Sequence, residues 1–305
     1  MKIMVLRYVY GYASALLRAR APITAGILLA VLGTACLHTM PTQWRVGAAR
    51  VDITPDAAEI AAGNIWLGGF GSCLLDSRRA TGVHDPIHAR AMVISDGATT
   101  VAHVMADTPG ISNRRIKAIR QRAFDATGIP RSNIMVGATH THSGPDMVGI
   151  WCGVSDSYES SFDQRVAQAV IEAHQSLQPA TLLARVAPLS NMQTNRRGWN
   201  ITDEDLAVLQ ARDSDDRPIG TIVEFAAHAT CIGKENTLIS RDWVGRVQDR
   251  IEGSGNGIAL VNTGDQGDVI PKDCGSGFGG AEAFGASIAD AARDRIATAE
   301  ELTPP

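Results

Sequence analysis

The sequence predicts an α/β domain, a mixed β-sheet core flanked by helices, preceded by an N-terminal signal or anchor segment. Three observations carry that prediction. Apolar strand-like runs alternate with amphipathic helical stretches, the pattern of a layered α/β architecture. Several runs are neighbours across short turns, so antiparallel pairs mix with parallel ones. No repeat or low-complexity linker interrupts residues 46–305, which read as one domain.

The elements follow in order. Val46–Pro55 alternates weakly and ends in a turn signal, so it reads as a first strand. Ala57–Thr81 is rich in glycine and small residues, including Trp66-Leu67-Gly68-Gly69-Phe70-Gly71, and reads as a long loop shaped by close backbone approach. His88–Gly97 and Thr100–Asp107 are apolar runs around a glycine-containing turn, hence a hairpin or adjacent strands. Ser112 caps a helical pattern through Ala126, with Ile116, Ile119 and Phe124 on one face and Gly128 as the stop. Ile134–His140 reads as a buried strand, Ser161–Leu177 as a second helix and Ala180–Leu189 as another strand. Leu206–Asp213 and Gly220–Thr230 flank a Pro-Ile-Gly turn and read as a strand pair. Gly255–Asp265 is a strand entering a loop, and Ala281–Ala299 is an alanine-rich terminal helix.

The N-terminus has a different composition. Arg7, Arg18 and Arg20 precede an apolar run from Ile23 to Leu37, whose 15 residues fall short of a bilayer span, for which roughly 20 are needed. Residues 1–36 therefore read as a signal peptide or lipoprotein leader. Small residues before Cys36 resemble a lipoprotein cleavage box, although Leu32 sits one place too far from the cysteine. An uncleaved anchor helix is the alternative. The expected location is outside the cytoplasm: periplasmic, secreted, or an outer-membrane or cell-surface lipoprotein. Four cysteines follow Cys36, at Cys73, Cys152, Cys231 and Cys274. No CxxC pair occurs, which argues against a cysteine zinc site. In an oxidising compartment they suit one or two disulfides, and their spacing does not choose among the pairings. A net charge of -4 and an aromatic content of 5% exclude nucleic acid as a favoured partner.

Ala138-Thr139-His140-Thr141-His142-Ser143-Gly144-Pro145 is the strongest chemical feature. Histidines at i and i+2 after a buried strand face the same side of an extended backbone, so their rings can converge. Glu224-Phe225-Ala226-Ala227-His228 places a third histidine at the end of another apolar strand. Neutral imidazoles from two strand ends suit zinc. Asp265 and Asp268 lie in a Gly-Asp loop after a strand, and Asp242 follows Ser240-Arg241. All three are candidates to orient a ligand or to complete a metal site. Arg196, in Asn195-Arg196-Arg197, is a candidate for binding a carbonyl or anionic oxygen. His84 could also reach the site, whereas His103 and His174 read as structural. GxSxG, P-loop and HExxH motifs are all lacking from the sequence.

The ordered set VGAARVDITP, the Gly-Phe-Gly loop, GVHDPIHARAMVI, ATHTHSGP, TNRR, PIGTIVEFAAHAT, LISRDWVG and GDVIP resembles the N-terminal catalytic domain of neutral, non-lysosomal ceramidases. The resemblance covers Val46 to about Asp273. It implies a zinc-dependent amidase that cleaves an N-acyl sphingoid base, with a lipid amide substrate and proximity to a membrane. It implies zinc ligation by His140 and His228, contact of His142 with the reacting amide or its oxyanion, and a catalytic role for Arg196. Two departures stand out. Ile270 occupies the place of a family serine, and isoleucine can neither attack nor donate a hydrogen bond. The family also draws a glutamate and a tyrosine ligand from a later part of its catalytic domain, whereas this sequence ends at Pro305. A catalytically impaired exported binding domain on the same scaffold is the alternative reading.

Overall fold

The computed structural model describes residues 43–275 and 277–304. The leader expected over residues 1–36, with Cys36, lies outside the described residues.

Two successive halves of the chain run through the same order of elements. Strand β1 (Arg45–Asp52) pairs antiparallel with β2 (His88–Ser95), and β2 with β3 (Thr100–Ala106). Helix α1 (Asn113–Thr127) crosses over, so β4 (Ile134–Ala138) returns parallel to β3. Helix α2 (Asp156–Gln175) packs back on this sheet, and β5 (Gln178–Pro179) extends its edge beside β1. Strands β6 (Thr181–Pro188), β7 (Asp205–Arg212) and β8 (Pro218–Phe225) then form a second antiparallel meander. Helix α3 (Asp242–Gly253) crosses over to β9 (Ile258–Asn262), parallel to β8. Helix α4 (Gly277–Ala297) packs back, and β10 (Glu300–Leu302) closes the edge beside β6. The sheets run β4-β3-β2-β1-β5 and β9-β8-β7-β6-β10. The recurrence is one of topology, which is why no repeat is visible in the residues.

The mixed β-core flanked by helices is therefore present, in duplicate. Three apolar layers hold it. Ile119, Phe162, Val166 and Val170 bury α1 and α2 against the first sheet. Val223, Phe225, Trp243, Val247 and Ile288 bury α3 and α4 against the second. Val46, Met92, Leu182, Leu209, Ile222 and Leu260 fill the space between the sheets. At roughly 1.5–3 kcal/mol per fully buried large apolar side chain, these layers supply most of the stabilisation that opposes chain entropy. Where α3 and α4 meet, a Cβ on Gly285 would lie 2.4 Å from the Trp243 carbonyl oxygen, so the close crossing requires glycine there.

A buried polar network joins the halves. Arg90 on β2 reaches Asp107 at 3.1 Å and Glu252 of α3 at 3.2 Å, and the Gln248 amide donates to Asp107 at 3.2 Å. Arg241, at the start of α3, pairs with Asp85 at 2.8 Å and Asp249 at 2.9 Å. Arg90, Asp107 and Arg241 are buried and each faces an opposite charge, which fixes one docking of the halves.

Several local expectations need correction. Helix α2 begins at Asp156 rather than Ser161, because the Ser155 hydroxyl accepts the Tyr158 N–H as an N-cap. Ser112 sits at the N-cap of α1 without a side-chain cap bond, and Phe124 is 39% exposed under the Arg131 guanidinium rather than on the buried face. The Ser240-Arg241-Asp242-Trp243 stretch opens helix α3, an element absent from the sequence reading. The cysteines meet expectation, with one disulfide between Cys73 and Cys152 and with Cys231 and Cys274 free. Among the described residues no helix is long and apolar enough to cross a membrane.

Candidate metal centre

The site lies where the loops after β3, β4, β8 and β9 meet. His140 follows β4 by two residues and has φ +60, in the left-handed region that non-glycine residues rarely enter. The stretch is thus a kinked loop and not the extended backbone that the HxH spacing suggested. Its N–H donates to the Thr108 carbonyl at 3.0 Å, which ties the kink to the loop after β3. Two residues on, the His142 N–H donates to the Ala229 carbonyl at 3.1 Å. That bond sets the first histidine segment directly beside the segment carrying His228. His228 is held in turn by its N–H to the Val269 carbonyl and by the Trp243 indole N–H to its own carbonyl, each 3.0 Å.

The three imidazoles converge. His140 Nε2 is 3.2 Å from His228 Nε2 and 3.3 Å from His142 Nε2. Ring centroids are 4.8, 4.9 and 5.3 Å apart for the three pairs. The His140 Nδ1–H donates to the Pro109 carbonyl, and the His228 Nδ1–H to the Gln266 carbonyl at 2.5 Å. A carbonyl can only accept, so both Nδ1 atoms carry the proton and both Nε2 atoms present lone pairs to the centre. His142 Nδ1 is buried without a partner. Burial holds all three imidazoles below their usual pKa, His142 down to about 2, and the nearby Arg196 charge adds to the effect. They are neutral at pH 7, the form that binds a metal. Among the described residues, His140, His142 and His228 form the one group able to hold a metal ion.

The other expected residues are placed around this centre. Arg196 is pinned through its N–H to the Asp268 carbonyl at 2.8 Å and through its guanidinium to the Gly267 carbonyl at 2.7 Å. Asp268 pairs with Arg197 at 3.3 Å, and Asp265 is exposed. Both Asp242 oxygens accept backbone N–H groups, from Cys231 and Trp243 on one side and Ile232 on the other. Asp242 thus fixes the loop after His228 and does not touch an imidazole; the orienting groups are main-chain carbonyls. His84 stacks on Phe278 at 3.7 Å and bonds Asp85 at 2.9 Å, apart from the cluster.

Three residues, Gly69, Phe70 and Arg78, were not singled out from the sequence. The Gly69 backbone lies flat on His142: a Cβ there would sit 2.3 Å from its Cγ. Phe70 packs edge-on at 4.7 Å. Arg78, only 7% exposed, donates to the carbonyls of Gly68 and His142 at 2.7 and 2.6 Å and stacks over Phe70. The glycine-rich loop was the available signal, since bare backbone at a site implies close approach. Nothing in the pattern around Arg78 marks it.

Fold and geometry together define an α/β/β/α scaffold with a buried three-histidine centre at one end of its sheets. A family model described as neutral/alkaline non-lysosomal ceramidase, N-terminal, matches residues 44–271, and the chain belongs to that family. It is 26% identical over 268 residues to neutral ceramidase B of Dictyostelium discoideum, covering 77% of this chain and 36% of that protein. It is 27% identical over 239 residues to the neutral ceramidase of Pseudomonas aeruginosa, covering 71% and 34%. The crystal structure of neutral ceramidase from P. aeruginosa superposes with a TM-score of 0.75 at 23% identity, covering 87% of this chain and 46% of that one. The chain thus spans about a third of the length of these curated relatives.

Proposed function

We propose that this protein is a zinc-dependent amidohydrolase acting on the amide bond of an N-acyl sphingoid base or a related lipid amide. The observation that carries the proposal is the convergence of three Nε2 atoms, two of them fixed as lone-pair donors by carbonyls behind their rings. Two lone-pair nitrogens at 3.2 Å repel each other unless a cation or a proton lies between them. Burial opposes the proton, so the donor set favours a cation. A tetrahedral site with zinc–nitrogen bonds of about 2.05 Å has ligand nitrogens about 3.3 Å apart; the two pairs that His140 makes, at 3.2 and 3.3 Å, match that spacing, and all three ligand nitrogens lie within 4.8 Å of one another.

In this reading His140, His142 and His228 together hold the metal, and His142 also borders the space where the amide would sit. Zinc in such a site polarises an amide carbonyl and lowers the pKa of an attacking water. Arg196, anchored by the Gly267 carbonyl, offers its remaining N–H groups to the oxyanion that develops from the carbonyl. Ile270 stands where a serine nucleophile would be required, so no acyl-enzyme route is available through that position. Asp265 and Asp268 belong to the loop whose Gln266 and Gly267 carbonyls hold His228 and Arg196. The substrate class follows from family membership and implies work near a membrane. The Cys73–Cys152 disulfide supports an exported location.

Purified protein tests the reading. It should carry one zinc per chain and hydrolyse a fluorescent N-acyl sphingosine, and His140→Ala should lose both. Zinc binding with no hydrolysis of any lipid amide would leave a metal-binding scaffold and refute the enzyme.

A further inference from the structure

Cys231 and Cys274 take no part in the chemistry above, yet the fold brings them together. They lie on two segments that run side by side. At one end the His228 N–H donates to the Val269 carbonyl at 3.0 Å; at the other the Gly277 N–H donates to the carbonyls of Cys231 and Ile232 at 3.1 and 3.2 Å. The Asp242 carboxylate holds the Cys231 and Ile232 N–H groups at 3.2 and 3.0 Å, so the first segment is fixed independently of the second. Cys231 is 2% exposed, within the apolar cluster of the second sheet, and the half-buried Cys274 packs against that same cluster. The proximity of the two thiols pushes Cys231 above the usual thiol range and holds Cys274 below it.

We propose that Cys231 and Cys274 are a redox modification site that closes into a second disulfide when the protein meets an aliphatic disulfide R–S–S–R. The accessible Cys274 sulfur, as thiolate, attacks one sulfur of the oxidant. A Cys274–S–S–R bond forms, and the departing R–S⁻ takes up the proton that Cys274 has lost. The Cys231 sulfur then gives up its proton and attacks the Cys274 sulfur. The mixed bond breaks, and the second R–S⁻ leaves with that proton. Two protein thiols are oxidised to one disulfide, and one oxidant disulfide is reduced to two thiols. The new bond ties together the far ends of the two segments whose near ends hold His228 and its carbonyl partner Gln266. Closure does not depend on the proposed reaction.

The test uses the folded full chain and oxidised glutathione as the probe. After incubation the protein is quenched in acid, denatured in iodoacetamide and digested without reduction. Mass spectrometry should find a peptide linking Cys231 to Cys274, with alkylation at both positions at least tenfold below the untreated protein. The Cys73→Ser/Cys152→Ser double variant, checked for folding by circular dichroism, should form the same link and so exclude exchange from the existing disulfide. Full alkylation of both cysteines after treatment would overturn the proposal. So would a Cys274–glutathione adduct that never resolves, or a Cys274 bond between two chains.

Discussion

Gly69 offers a direct test of how the glycine-rich loop supports the metal centre. In Gly69→Ala the new methyl would lie 2.3 Å from His142 Cγ and 2.6 Å from its Nδ1. Ordinary carbon contact is about 3.5 Å, so the ring must retreat by more than about 1 Å. That is several times the roughly 0.2 Å tolerance of a metal–ligand bond. The strain has two parts. Alanine at φ +101 costs about 1 kcal/mol in backbone conformation, and forcing the methyl against the packed ring costs about 1–3 kcal/mol more. Gly97→Ala separates them: its φ is +90, but nothing lies within 4 Å of the added methyl. Gly97→Ala should therefore lose about 1 kcal/mol in urea denaturation and keep wild-type zinc affinity. Gly69→Ala should lose more and bind zinc about 10- to 100-fold more weakly by competition with a chelator. Equal stability losses in the two variants, with unchanged zinc affinity in Gly69→Ala, would refute the reasoning.

Arg78→Met leaves the carbonyls of Gly68, His142 and Asn236 without their buried donor, so urea denaturation should report a loss of roughly 3–5 kcal/mol. Ile270→Ser should change hydrolysis of N-acyl sphingosine by less than about threefold, because the proposed route uses no serine; a gain of a hundredfold would restore the serine mechanism. Burial lowers the His103 pKa to about 4. A histidine so shifted leaves the unfolded chain binding more protons between about 4 and 6.5, so stability is full above 6.5 and falls as pH drops toward 4. His103→Leu should remove that fall, roughly 1–3 kcal/mol, seen as a flatter denaturation midpoint between pH 7 and pH 4.5.

Much of the scaffold was legible because its signals are local. Gly128 stops α1 with φ +73, and the expected strand pair forms, although Pro218-Ile219-Gly220 begins β8 and the chain turns just before it, between Asp213 and Arg217. Helix α3 was not legible: Trp243, Val244, Val247 and Ile251 do form an apolar face, but buried Arg241 and Asp242 at its start resemble a polar loop. Their partners, Asp85, Asp249 and the N–H groups near Cys231, are supplied only by the fold. The topological recurrence and the second sheet were hidden for a related reason, since pairing partners far apart in sequence leave no periodic mark. At the site, the three histidines were recognisable as residue types at strand ends. The reason they meet was not, because it rests on the positive φ of His140 and on the carbonyls of Pro109 and Gln266. Backbone groups have no letter in a sequence.

X-ray absorption at the zinc edge on the loaded, purified protein asks whether His140, His142 and His228 bind one divalent cation together. The expected result is one zinc per chain with three imidazole nitrogens at about 2.0–2.1 Å, falling to two in His142→Ala. Folded protein that takes up no zinc, or zinc whose shell keeps the same nitrogen count in His140→Ala and His228→Ala, would contradict it.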